Sequence, residues 1–172
     1  MSWEKHLEHW LVLQRVSWLN WFFIGLSRIG QLGLVWIAIA LVLAVLWRRP
    51  SLFLTVVVAD VIADLLAEVG KTVFDRHRPF ETQIGPRSST HSFPSGHSAT
   101  AFACATVLAS LAPRWRGPFF FLAALIALSR VYNGLHYPTD VLAGSALGVL
   151  VGLTTLRVSK RGWRLRPAAG VE

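Results

Sequence analysis

Apolar residues run through this chain in long blocks. Five stretches, near 30–47, 52–74, 97–112, 118–132 and 138–157, are separated by short polar links. A helix that crosses the hydrocarbon of a bilayer needs about 20 residues, with a lower limit near 17. Several stretches lie at or below that limit, so they must extend into flanking polar residues or lie where functional loops dip inward. Tryptophans mark the boundaries: Trp47 precedes Arg48 and Arg49, Trp115 lies between Arg114 and Arg116, and Trp163 between Arg161 and Arg164. That pairing of indole and cation is the pattern of a lipid headgroup interface.

The first 29 residues read differently. On a helix, Trp3, Leu7, Trp10 and Leu11 share one face, opposite Glu4, Lys5, Glu8 and Gln14, as in a helix lying in the interface. Residues 16–29 are more apolar but include Asn20, Ser27 and Arg28. The expected fold is therefore all-α, an integral-membrane helical bundle forming one domain over residues 1–172. Residues 1–29 form an interfacial N-terminal region, 30–157 a helical core, and 158–172 a basic cytoplasmic tail. Five spanning helices after an interfacial helix is the preferred count, and a six-span bundle with a poor first span is the alternative.

Composition agrees with the membrane. Hydrophobic residues make up 53% of the 172, and mean hydropathy is +0.49, too apolar for a domain that must carry a polar surface. A net charge of +8 could serve nucleic acid, but the basic residues cap apolar runs, so no nucleic-acid partner is expected. Cys104 is the only cysteine, which excludes an intrachain disulfide and a cysteine metal cluster. Residues 1–20 mix Glu4, Lys5, Glu8 and Arg15 with tryptophans, and no signal peptide is expected there.

Three polar clusters interrupt the apolar pattern: Lys71 to Pro79, Pro94 to His97, and Ser129 to Asp140. Helix parity brings all three to one side of the bundle. Arg48, Arg49, Arg114, Arg116, Arg157, Lys160, Arg161, Arg164 and Arg166 gather on the other side, so the positive-inside rule turns the clusters outward. Cations near hydrocarbon are costly, and several converging on one side point to a bound anion. Two histidines and a carboxylate add nucleophile and acid chemistry, which makes phosphate the expected anion.

The order Lys71-x6-Arg78-Pro79, Pro94-Ser95-Gly96-His97, Ser129-Arg130-x5-His136-x3-Asp140 resembles the type 2 phosphatidic acid phosphatase superfamily. That superfamily shares its core with bacterial acid phosphatases and vanadium haloperoxidases. The resemblance covers about residues 30–157. It implies phosphate binding by Lys71, Arg78, Ser95, Gly96 and Arg130, an acid in His97, and a nucleophile in His136 oriented by Asp140. No cofactor and no metal are implied.

The residue types suit those roles. Arg78 and Arg130 can each present a planar fork to two phosphate oxygens, while Lys71 is a point charge. Pro94 suits the first turn of a helix, and Gly96 lets a backbone N–H approach a ligand. Pro138 marks another helix start, with Asp140 able to accept a hydrogen bond from one imidazole nitrogen of His136. Arg76 and Arg87 read as interfacial cations, His77 and His91 as solvated loop residues, and Gly144, Gly148 and Gly152 as a close-packing stripe.

Asp60, Asp64 and Glu68 lie inside an apolar span ending at Lys71. At 100° per residue, Asp60 and Asp64 fall within about 20° of the Lys71 direction, with Asp64 about 10 Å below it. Asp64 either lines a headgroup cavity or is a buried carboxyl bonded to a neighbouring helix.

The function expected from the resemblance is a membrane lipid phosphatase at the outer leaflet of the cell membrane, working through a phosphohistidine. Undecaprenyl diphosphate is the first candidate substrate, followed by phosphatidylglycerol phosphate and phosphatidic acid. Rival readings are a vanadate-dependent haloperoxidase, a phosphotransferase, and a non-catalytic binder or transporter of lipid phosphates.

Overall fold

The computed structural model describes residues 3–30, 33–79, 83–85 and 91–164; the side chains of Glu8 and of 160–164 are not among them. The tail beyond 164, and with it Arg166, lies outside the described residues, as does Arg87. Among those described the chain is all helical. The order is α1 (Trp3–Leu13), α2 (Ser17–Ile29), α3 (Leu34–Leu46), α4 (Pro50–Phe74), α5 (Gly96–Leu111), a 3-10 turn (Pro113–Trp115), α6 (Arg116–Tyr132) and α7 (Pro138–Arg164). Helix α7 continues past 157, so the basic tail drawn from the sequence begins inside a helix.

Local chemistry sets the boundaries. Proline opens α4 and α7, where a missing N–H costs nothing. Asp75, with φ 46°, closes α4 in the left-handed region and donates its N–H to the Lys71 carbonyl. Helix α5 departs from the expectation: Ser95 is its N-cap and Pro94 lies one residue outside. After α6, Gly134 with φ 68° turns the chain back, so that Leu135 and His136 both donate N–H to the Arg130 carbonyl, at 3.0 and 3.3 Å. A side chain at 134 would strain that turn.

Helix α5 is the axis of the bundle, buried along most of its length and packed against α4, α6 and α7. Its alanines admit close neighbours. The glycine stripe of α7 uses that room: a Cβ on Gly144 would stand 2.4 Å from the Ser95 carbonyl oxygen, and one on Gly148 2.2 Å from that of Ala99. These contacts fix the depth of α7 against α5, and so the height of one polar cluster against another.

The N-terminal region differs from the expected arrangement. Helix α2 packs on α6 by way of Ser27, Phe23 and Asn20, whose partners are Arg130, Asn133 and Tyr132. Together α2 and α3 have the length and apolarity of a single broken span, bent by 61°. The bent pair therefore draws on residues that the sequence assigned to an interfacial region. Gly33, at φ 64°, caps α3 at the break, and the Asp60 carboxylate occupies the place where a Cβ on Gly33 would sit. Asp60 is buried and accepts a 3.6 Å hydrogen bond from Cys104 Sγ. Helix α7 alone, over Pro138–Ser159, is long and apolar enough to cross a bilayer by itself among the described residues.

Packing of the stripe predicts a sharp contrast between glycines. Gly148→Val should lower the thermal midpoint of the detergent-solubilised protein strongly, since overpacking against backbone costs about 1–3 kcal/mol or more. Gly25→Ala, where a Cβ meets nothing within 4 Å, should be neutral or stabilising by up to about 1 kcal/mol. Equal midpoints for the two variants would contradict this packing.

Candidate active site

The three polar clusters meet at one end of the bundle, formed by the C-terminal ends of α4 and α6 and the N-terminal ends of α5 and α7. Lys71 and Asp64 approach the second cluster directly: a Cβ on Gly96 would lie 3.8 Å from Lys71 Nζ and 3.6 Å from Asp64 Oδ1. Lys71 forms its own ion pair with Glu68, one turn back, at 2.5 Å. Asp64 is half-buried beneath them. The second and third clusters are tied by backbone, with the Ser95 N–H donating to the Asp140 carbonyl at 3.0 Å. His97 lies within Coulombic reach of Arg130, His136, Lys71 and Arg78. All eight residues expected to bind phosphate or take part in the chemistry therefore collect here.

His136 is 3% exposed and held from two sides. Its Nδ1 lies 2.7 Å from the Ser92 carbonyl oxygen, which can only accept, so Nδ1 carries the proton. Its Nε2 lone pair then accepts from Arg78 Nη1 at 3.0 Å. Arg78 Nη1 also donates to the Leu135 carbonyl at 2.7 Å. Burial, with Arg130 and Arg78 next, holds the His136 imidazole well below the usual histidine range despite the bond to Ser92. Burial likewise lowers the Arg78 guanidinium from its ordinary value. Arg130 is buried, bonded to the Ser27 hydroxyl, and its Nε has no hydrogen-bond partner. Two guanidinium groups and an ammonium thus surround a neutral imidazole, an arrangement that favours an incoming anion.

One expected contact is different. Asp140 was expected to accept a hydrogen bond from His136, but its nearest oxygen lies 3.7 Å from Nδ1, and the Ser92 carbonyl takes that proton instead. The Asp140 carboxylate turns to Arg76 Nη1 at 2.6 Å and to the Tyr137 N–H at 2.9 Å, inside the first turn of its own helix. Ser92 was not singled out, and a backbone acceptor leaves no signature in side-chain identity.

Arg76 was also undervalued. Read as an interfacial cation, it is instead an organiser of the site end. Its guanidinium binds Asp140, Thr139 at 2.7 Å and Glu4 at 2.7 Å, and lies 4.3 Å from the Tyr137 ring centroid. The signal available was its place two residues before Arg78. His91 pairs with Asp75 at 2.6 Å, and His77 is exposed, in keeping with loop positions. Among the described residues no group of three His, Cys, Asp or Glu side chains is arranged to hold a metal ion.

A helical bundle with an anion site built from cations and histidines at one end defines the class of protein. Residues 51–164 match the family model described as the PAP2 superfamily, and the chain belongs to that superfamily. It is 32% identical over 154 residues to an undecaprenyl-diphosphatase of Sulfolobus acidocaldarius, covering 86% of this chain and 74% of that one. A phosphatidylglycerophosphatase B of Bacillus subtilis is 32% identical over 154 residues, with 81% and 75% covered. A lipid A 1-phosphatase of Rhizobium johnstonii is 37% identical over 124 residues, with 69% and 51% covered. Among solved structures, a transmembrane PAP2-type phosphatidylglycerolphosphate phosphatase from Bacillus subtilis superposes with TM-score 0.79 at 28% identity, covering 95% of this chain and 87% of that one. Aquifex aeolicus LpxE gives the same TM-score and identity, with 91% and 96% covered. These named relatives are lipid phosphatases and diphosphatases, hydrolases of one family.

The electrostatics of His136 predict its titration. With the folded value depressed, the ring stays neutral at pH 6.5, where an unperturbed histidine is about half protonated. Nitrogen-15 spectra of the imidazole in micelles should show Nδ1 protonated and Nε2 bare at that pH. Arg78→Gln removes a neighbouring cation and should raise the His136 pKa. Ordinary titration near 6.5 in the unmodified protein would contradict the burial described here.

Proposed function

We propose that this chain is a metal-independent membrane lipid phosphatase that works through a phosphohistidine. The observation carrying the proposal is the pairing of His136 Nε2 with Arg78 Nη1 at 3.0 Å, while Nδ1 is tied to Ser92. The basic ring nitrogen faces the guanidinium to which a phosphate would bind. As the phosphate enters, its oxygens take the Arg78 fork, the Lys71 ammonium and the unpartnered Nε of Arg130, which frees the Nε2 lone pair.

Nε2 then attacks phosphorus in line, and the bond from phosphorus to the departing oxygen breaks as His97 gives that oxygen a proton. Water, losing its proton to His97, attacks the phosphohistidine, the P–N bond breaks, and inorganic phosphate leaves. The three cations, together with Ser95 and Gly96 at the start of α5, stabilise charge on the equatorial oxygens. Fixed cations do here what Mg²⁺ does in other phosphoryl-transfer sites.

An amphiphilic substrate fits the setting. The site lies at one end of an apolar bundle, and Trp47 and Trp115 lie at the other beside Arg48 and Arg114. We place five passes in the membrane, the first being the broken α2–α3 pair, with α1 in the interface and the site at the outer face of the cell membrane. An apolar cleft of about 560 Å³ runs along α4 and α7, from Ser51 and Ser159 to Leu66 and Leu147 on the site side, with room for a hydrocarbon chain. Undecaprenyl diphosphate is the preferred substrate, supported by the relative from Sulfolobus. Phosphatidylglycerol phosphate is the second reading, supported by both Bacillus relatives.

Phosphate release from a panel of lipid mono- and diphosphates, in detergent with EDTA present, tests the mechanism. The unmodified chain should be active, and His136→Ala should lose more than about a thousandfold in turnover. Retained activity in that variant, or loss with EDTA in the unmodified chain, would overturn it. Asp64, lying under Lys71 and Gly96, is proposed to border the headgroup, so Asp64→Asn should change the ranking of headgroups in the panel by about tenfold. Unchanged turnover and ranking would return Asp64 to a structural role.

A further inference from the structure

Glu4 lies outside all three polar clusters, 67 residues or more from the nearest of them in sequence. On the helical wheel it belongs to the face of α1 turned to water. In the fold it is only 8% exposed. Its Oε2 accepts from Arg76 Nη2 at 2.7 Å, and its Oε1 accepts from the Thr139 hydroxyl at 2.6 Å and the Thr139 N–H at 3.3 Å. Thr139 is the second residue of α7, so the carboxylate sits at that helix's N-terminus with a cation beside it.

From Arg76 the connection continues inward by two routes. Its guanidinium holds the Asp140 carboxylate at 2.6 Å. Its carbonyl accepts from the Ser92 N–H at 2.7 Å and the Ser92 hydroxyl at 3.1 Å, and the Ser92 carbonyl in turn holds His136 Nδ1. Glu4 and the imidazole are thus two ends of one run of short bonds. At the other end of α1, Arg15 donates from Nη2 to the Tyr132 carbonyl at 2.5 Å, so the helix is pinned across the site end at two points. Trp3 and Trp10 point away, 59% and 56% exposed.

We propose that Glu4 is a positioning residue for His136, acting through Arg76, so that the N-terminal helix sets the geometry of the nucleophile. The inference rests on the reading of His136 as the attacking group. Glu4 touches neither substrate nor reacting atoms. It fixes which way the Arg76 guanidinium faces, and Arg76 fixes Ser92 and the first turn of α7. Loss of such support costs about 10- to 100-fold in activity, because a displacement of about 1 Å at a reacting centre costs up to about 100-fold.

The test uses the full chain in detergent and the lipid phosphate that gives the fastest phosphate release, with turnover normalised to folded, monodisperse protein. Glu4→Ala should lower kcat about tenfold and leave KM within about twofold. Arg76→Ala should lower kcat about 100-fold, and the double variant should be within about twofold of Arg76→Ala alone, because the effect of Glu4 on His136 passes mainly through its contact with Arg76 rather than through Thr139. Glu4→Gln, of the same shape and able to keep the Thr139 bonds, should retain part of the turnover, and it carries the test if Glu4→Ala does not fold. Unchanged kcat in folded Glu4→Ala or Glu4→Gln, a change in KM alone, or multiplicative losses in the double variant would overturn the inference. His136→Ala is measured alongside. If it turns over normally, the reading of the site falls and the inference with it. If it is inactive while the Glu4 variants match the unmodified chain, the positioning role alone falls.

Discussion

Two buried guanidinium groups crowded beside one imidazole are the constraint around which this structure is arranged. Arg78 and Arg130 are 5% and 7% exposed, lie within Coulombic reach of one another, and crowd a neutral imidazole. Such charges are expensive away from water unless their donors are met. Neutral oxygens are among the acceptors that meet them: the Leu135 carbonyl for Arg78 and the Ser27 hydroxyl for Arg130. Neutral acceptors satisfy the geometry without cancelling the charge, so the field remains available to an anion. The carboxylates nearby are engaged elsewhere, Glu68 with Lys71 and Asp140 with Arg76. Lys71, which faces the site, and Arg76, which does not, thus each carry a carboxylate partner, at 2.5 and 2.6 Å.

Rigid backbone supports the site because the helices can approach closely. Alanines on α5 and glycines on α7 bring the Ser95 carbonyl within reach of Gly144, and the same approach lets the Ser95 N–H meet the Asp140 carbonyl. The broken α2–α3 passage contributes on the opposite flank. Its bend lets α2 lie along α6, where Ser27 reaches Arg130 and the Phe23 carbonyl reaches the Asn133 side chain. At the break, the Asp60 carboxylate stands against Gly33, the N-cap of α3.

Membership of the PAP2 superfamily and the agreement with two solved structures place the fold firmly, whereas the lipid tail is a separate matter. The relatives carry prenyl, diacyl and lipid A names on similar cores. Phosphate is recognised by cations and helix termini, and any of those lipids presents it. On the proposed reading, discrimination between them falls to surfaces flanking the phosphate, such as the α4–α7 cleft and the half-buried Asp64.

Much of this protein was legible in its order of residues. The apolar blocks located α4 to α7 within a few residues, except at the C-terminal end of α7, which runs on to Arg164, because burial in a bundle demands long apolar helices whatever their neighbours. The three polar clusters were legible for the same reason in reverse: Lys71, Arg78, His97, Arg130, His136 and Asp140 stand out where charge is costly. Partnership was not legible. That Ser92 holds His136 through a backbone carbonyl, that Arg76 binds Asp140, and that Glu4 leaves the watery face of α1 to meet both Arg76 and Thr139 depends on contacts between segments far apart in the chain. Periodicity records which face of a helix is apolar, but it carries no information about which distant donor will meet a given oxygen. Only the packed tertiary structure decides that.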